Sequence, residues 1–261
     1  MSYFVDNYRT YQPMNIEYPL IHTVQEFEIL EKIIIEGFRP SYCTEYLSDN
    51  ERQIKAAFPM VSFSNMSLEE SMRLSKSYGT FAIAMKKAWA SKTKLNPVLY
   101  LERHSDFTYH IISSFERIKN FTDWEIESSL NGGLIGDQHI LVKTLIDLFS
   151  LSKNFDGKLI RNNIIINERY PFGLEREWRY VVTEEKYRRY LIKDEIEMKW
   201  DYSEQINHIR LGFSLEDISA IIVETDYERD VVSNLLLNKY GESKYKPTII
   251  INDTRHIYDN S

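Results

Sequence analysis

The stretch FGLEREWRYVV, residues 172–182, decides how the chain is read. Its alternation predicts a β-strand that carries Glu175, Glu177 and Arg179 at every second position. Successive strand side chains point to opposite faces, so these three would share one face. Leu174, Trp178, Tyr180 and Val182 would form the other, the expected core face. Residues two apart lie roughly 6.5–7 Å apart along a strand, far enough for two acids to reach different parts of one ligand. A solvated strand face with a weak ion pair fits the same pattern.

The composition sets the frame around this strand. A chain of 261 residues with 43% hydrophobic side chains easily supplies a core. The net charge of −7 argues against a general polyanion binder, although a local basic groove is compatible with it. Cys43 is the single cysteine, which excludes an internal disulfide framework and a zinc site built on several cysteines. The first residues, MSYFVDNYRTYQPM, lack the apolar run of a signal peptide, and no stretch approaches the roughly 20 apolar residues of a membrane span. A soluble cytoplasmic protein is expected, with no metal.

Periodicity predicts one α+β domain over residues 1–261, with a mainly helical insert around 105–152. Residues 1–18 read as an irregular arm. Leu20 and Ile21 end a short strand, and Thr23 with Glu26 forms a capping-box signal. Phe27, Leu30, Ile33 and Ile34 then recur at helical spacing up to Gly37. Met60, Val61 and Phe63 read as a strand, and Ser67 with Glu70 repeats the capping signal. Gly79 turns into the strand of YGTFAIAMKKAW, and NPVLYLE gives another. Asp137 is the expected cap of QHILVKTLIDLFSLSK. NNIIIN, residues 162–167, is a strand expected to pair with the opening stretch. The tail reads strand, helix, strand through ISAIIVE, YERDVVSNLLLNKY and KPTIII. No strict alternation of the two element types appears, which favours α+β over a doubly wound sheet.

Familiar chemical motifs are missing. No GxGxxG opens a helix after a strand, and no GxxxxGK[ST] is present. Gly132, Gly133 and Gly136 resemble a nucleotide loop but follow no strong strand. The six histidines are scattered without metal-ligand spacing, and there is no GxSxG elbow.

Four ordered blocks carry a family resemblance: IHTVQEFEILEKIIIEGFRPSYC, FPMVSFSNMSL, YGTFAIAMKKAW with NPVLYLE, and EREWRYVV. Over residues 20–182 the chain resembles the AbiGi family of abortive phage resistance proteins. Ala82 stands where a broader group of bacterial proteins with a similar YG…EWR pattern would carry a second glycine. The histidine-threonine pair before a helix ending in IIxEGF, with a glutamate on a late strand, is also similar to DarT-type ADP-ribosyltransferases. That likeness implies a split antiparallel sheet flanked by helices, with NAD as substrate in its cleft. Residue by residue, it places a polar first-strand position at His22, a middle-strand position at Tyr78 or Ser62, and the glutamate at Glu177.

The resemblance implies roles. Ionised Glu177 would stabilise the oxocarbenium-like sugar formed when nicotinamide leaves. Glu175 would take the proton of the incoming nucleophile. Arg179 would keep a neighbouring carboxylate ionised. His22 would bond the adenosine ribose beside Thr23, and Tyr78 would stack on nicotinamide where Gly79 permits close approach. Two functions follow. One is a toxin-like, NAD-dependent ADP-ribosyltransferase effector of phage defence, a transferase whose acceptor, nucleic acid or protein, is open. The other is a non-enzymatic antitoxin that acts through a protein partner from the same defence operon.

Overall fold

The computed structural model describes residues 17–73, 78–118, 138–161, 164–184 and 186–252. The Asp137 cap, the glycines at 132, 133 and 136, and all but the end of the 1–18 arm lie outside them.

The architecture is built on one long strand. β1 spans Leu20–Val24, β2 Ser41–Ser48 and β3 Gln53–Asn65. β4 covers Phe81–Met85, β5 Asn96–Pro97, β6 Leu99–Leu101, β7 Ser152–Asn154, β8 Gly157–Arg161 and β9 Ile164–Tyr170. β10 is Trp178–Val181, β11 Ile218–Val223 and β12 Thr248–Ile251. The main sheet runs β12-β11-β4-β1-β3-β10-β5, with β2 also on β3. β2 occupies one edge of β3 from Gln53 to Met60, and β1 takes the same edge only at Ser64 and Asn65. Residues 61–63 lie between these two partners. The opposite edge carries β10, in register from Trp178↔Phe63 to Val181↔Met60.

Among the described residues seven helices are present: α1 Phe27–Glu36, α2 Leu68–Arg73, α3 Lys87–Lys92, α4 Asp106–Ile118, α5 Gln138–Ser150, α6 Lys199–Gln205 and α7 Asp226–Tyr240. α1 and α7 cover one sheet face, burying Leu30, Ile33, Ile34, Val232 and Leu236 against Phe63, Ile83 and Val223. On the other face α4 and α5 bury Ile112, Phe115, Ile146 and Phe149 against Ile54, Phe58 and Met60. Phe115 and Phe149 stack at 3.9 Å.

The α+β class, the stop of α1 at Gly37 and the tail's β11–α7–β12 order agree with the expectations. So does the Ser67–Glu70 capping box, closed by bonds of 2.8 and 3.1 Å. Other expectations need correction. The sheet is mixed, not wholly antiparallel, because α7 returns the chain so that β12 lies parallel to β11. Thr23 caps nothing: it lies inside β1 opposite Ala82, and Glu26 is the N-cap of α1. β9 pairs with β8 rather than with β10, and it leaves Ile164, Ile165 and Ile166 exposed. The stretch 172–182 is only partly strand. Residues Phe172–Glu175 form a 3₁₀ turn, and Arg176 adopts the left-handed conformation at φ 47°.

Gly79 earns its place through backbone contact. Its φ is +121°, and a Cβ there would lie 2.3 Å from the carbonyl oxygen of Val24. Gly79→Ala is therefore expected to cost about 2–3 kcal/mol, since strain of this kind costs roughly 1–3 kcal/mol before the clash. Gly212→Ala, where a Cβ meets nothing within 4 Å, is the control. Urea-unfolding midpoints compare the two, and equal midpoints would refute the contact.

Candidate functional site

Arg179 is the most deeply placed charge of the strand that opened the sequence reading, at 0% exposure; Glu177 and Glu175 are also buried. The solvated-face reading is therefore incorrect, since the charges face inward; of the expected core face, Val182 is buried and Trp178 and Tyr180 pack against the core, whereas Leu174 is 65% exposed. The left-handed Arg176 explains why Glu175 and Glu177 still share a side although the strand begins only at Trp178. It swings its own side chain the other way, where Nε donates to the Asn65 carbonyl at 2.6 Å and Nη2 meets Glu70 at 3.1 Å.

The buried charges form one network. Arg179 Nε donates to Glu177 Oε1 at 2.8 Å, and Nη2 donates to Glu177 Oε2 at 3.1 Å, a bidentate pair. Its Nη2 also meets Glu45 of β2 at 3.0 Å, and Nη1 donates to the Ser150 carbonyl at the end of α5 at 2.7 Å. Lys153 of β7 places its ammonium 2.9 Å from Glu177 and 3.2 Å from Glu175, above the Phe172 ring at 4.5 Å. Tyr78 Oη donates to the other oxygen of Glu175. The backbone N–H of Glu177 donates to Tyr100 Oη at 2.8 Å. Glu45, Lys153, Tyr100 and Ser150 were not singled out in the sequence. Glu45 carried a usable signal, as an acid alternating with Cys43 and Leu47 on a strand's apolar face.

Burial by itself would raise the Glu177 carboxyl. The Arg179 and Lys153 charges outweigh it and hold Glu177 well below the usual carboxylate range. Burial would likewise lower Lys153, but Glu177, Glu45 and Glu175 raise it above an ordinary lysine. Burial pushes the Tyr78 and Tyr100 hydroxyls upward, reinforced in both by neighbouring carboxylates. Glu177 and Lys153 are thus held in their charged states, and the two tyrosines are held protonated.

His22 lies apart from this network. Its Nδ1 is 2.8 Å from the Ser62 carbonyl, so Nδ1 carries the proton. The ring sits edge-on to Phe38 at 5.4 Å and beside Phe63 at 5.5 Å, where β1 leaves β3. Register puts His22 on the Phe63 face. Ser62, directly opposite Arg179, belongs to the other face, with its hydroxyl 3.6 Å from the Met60 sulfur. The structure therefore brings Glu175, Glu177, Arg179 and Tyr78 into contact, with Ser62 on their face. The sheet separates them from His22, while Gly79 serves the Val24 contact.

Each oxygen of Glu175 and Glu177 already accepts from the chain, so a ribose hydroxyl would have to share an oxygen with Lys153, Arg179 or Tyr78. Two surface clefts, of about 790 and 410 Å³, meet this network only at Ser150, on the wall of the larger one. Among the described residues, no group of three or more His, Cys, Asp or Glu side chains is placed to hold a metal ion. Nor is any of their helices long and apolar enough to cross a membrane.

The site thus defines an α+β protein with a fully paired ionic centre. Residues 36–224 match the family described as "Putative abortive phage resistance protein AbiGi, antitoxin", and the chain belongs to that family. No curated protein and no solved structure matches, so the similarity to DarT-type enzymes and their fold gains no support from comparison.

Two tests address the network. Lys153→Met leaves Glu175 and Glu177 short of a cation in the interior, where breaking a buried pair costs about 3–5 kcal/mol. Urea titration checks this against Lys158→Met, a control at an exposed pair with Glu168; equal effects would refute it. For His22, burial lowers the imidazole, with the Ser62 bond opposing. The unfolded chain then takes up the proton first as pH falls below about 6.5. The contribution is present above that pH and lost as pH falls toward the folded value. Unfolding free energy should decline between pH 7 and 5, and His22→Gln should flatten that decline; an unchanged slope would exclude His22 as its source.

Proposed function

We propose that this chain is the non-enzymatic antitoxin of an abortive-infection pair, acting by binding a protein partner from the same defence system. The observation that carries the reading is the membership of residues 36–224 in a family described as an antitoxin. The ionic centre supports it: its carboxylates, each oxygen of which meets a donor within the chain, tie β2, α5, β7 and β10 together.

An NAD-dependent ADP-ribosyltransferase effector is the competing reading. One observation favours it: Glu177 is held ionised, the state that stabilisation of an oxocarbenium-like sugar requires. His22 on the opposite sheet face and the internal donors already on both carboxylates weigh against it.

Growth assays separate the two. The chain expressed alone should leave growth normal. The product of the neighbouring defence gene should arrest growth, and co-expression should restore it. Arrest by this chain alone, or NAD consumption by the purified protein that Glu177→Gln abolishes without loss of fold, would overturn the antitoxin reading.

A further inference from the structure

β8 and β9 stand apart from the main sheet as a two-stranded sheet of their own. Ile164, Ile165 and Ile166 of β9 remain 64%, 44% and 51% exposed. Ile164 and Ile166 lie on one face of the strand and Ile165 on the other. β8 occupies one edge of β9, and among the described residues no strand occupies the other. A two-stranded sheet is marginal in water without a further layer or strand. An open edge of consecutive β-branched residues also recruits strands, a hazard that charges or proline normally blunt. Residues 162–167, NNIIIN, contain neither.

The order of these residues selects the occupant. Residues 163–167 read NIIIN in both directions. In antiparallel pairing about a two-fold axis at Ile165, that residue meets Ile165 of a second copy, and Ile164 meets its Ile166. Every isoleucine of the run then faces an isoleucine. An axis at Ile164 or Ile166 keeps a single such pair and sets the other isoleucines against asparagine or Glu168. Within the hairpin Ile160 lies opposite Ile165. One face of the joined sheet would thus carry an unbroken row from Ile160 through both Ile165 side chains to the second Ile160, and the other face the Ile164–Ile166 pairs. The next charges along β9 are Glu168 and Arg169. They pair with Lys158 at 3.1 Å and Asp156 at 2.8 Å of the same chain, so neither is left bare against its counterpart. An unrelated partner strand needs no such symmetry, whereas an isologous contact requires it.

We propose that β9 is a homodimerisation edge. Two copies pair antiparallel through Ile164–Ile166 about a two-fold axis at Ile165, and their hairpins join into one four-stranded sheet. The pairing is independent of the antitoxin reading.

Sedimentation equilibrium of the full chain from about 1 μM to about 1 mM spans the affinities of a small interface. The wild-type chain should pass from monomer to dimer and no further. Ile165→Lys sets like charges directly opposite each other and should raise the dimer dissociation constant at least tenfold. Thermal melting checks that the variant stays folded. Ile165→Cys provides an independent readout, because opposed residues have Cα atoms about 4.5–5.5 Å apart, within disulfide reach. Mild oxidation should crosslink it between copies. Asn167→Cys, two residues off the axis, should not crosslink, and the wild-type chain controls for the native Cys43 thiol. A wild-type chain that is monomeric throughout the range, a dimer indifferent to Ile165→Lys, or equal crosslinking at 165 and 167 overturns the pairing. Open-ended polymers in place of a dimer overturn it as well. A monomeric chain whose complex with the neighbouring defence gene product is abolished by Ile165→Lys would assign the edge to that partner and refute the dimer.

Discussion

Burying the guanidinium of Arg179 is the constraint on which this structure depends. A charge removed from water costs several kcal/mol unless partners surround it, as a rough guide. Here the partners come from separate segments: Glu45 from β2, the Ser150 carbonyl from α5, and Glu177 one pleat away. Lys153 then balances Glu177 and brings in Glu175. Segments more than a hundred residues apart must therefore arrive in register together. Hydrophobic layers can slide by small amounts at modest cost, whereas a bidentate ion pair cannot. The network specifies the geometry of this half of the sheet more than it adds to net stability.

At the other half, the sheet solves a different problem. β3 is longer than either neighbour on its edge, so β1 and β2 share that edge and part around residues 61–63. A backbone carbonyl exposed in the gap needs a donor, and His22 provides it to Ser62. Phe38, Phe63 and Trp89 pack around one another beside the imidazole. The opening between the strands is filled by aromatic rings and held by one neutral histidine. A histidine at a strand end followed by a helix reads the same in sequence whether it meets a ribose or a carbonyl of its own sheet.

Membership of the AbiGi family and the paired ionic centre agree on where function is to be sought. Every oxygen of Glu175 and Glu177 meets a donor from the chain itself, which ties these interior segments together. At the surface the sheet ends at the short β5, just after Lys94 in its left-handed conformation. Edges of this kind are normally covered or blunted, because unpaired backbone groups recruit strands.

The sequence by itself determined the elements whose signals are local. Gly37 ends α1 because a positive φ is cheap only for glycine, and the Ser67–Glu70 box caps α2 through side chains three residues apart. The α+β class and the β11–α7–β12 tail were legible from periodicity alone. So was the grouping of Glu175, Glu177 and Arg179, although not their environment. Alternation states which residues share a face, and it is silent on what covers that face. Only the tertiary structure decided that these charges point inward, because Lys153 and Glu45 reach them from parts of the chain with no fixed spacing to 172–182. It also decided that His22 lies on the far side of the sheet, since strand register is set by pairing between distant segments and a shift of one residue reverses every face.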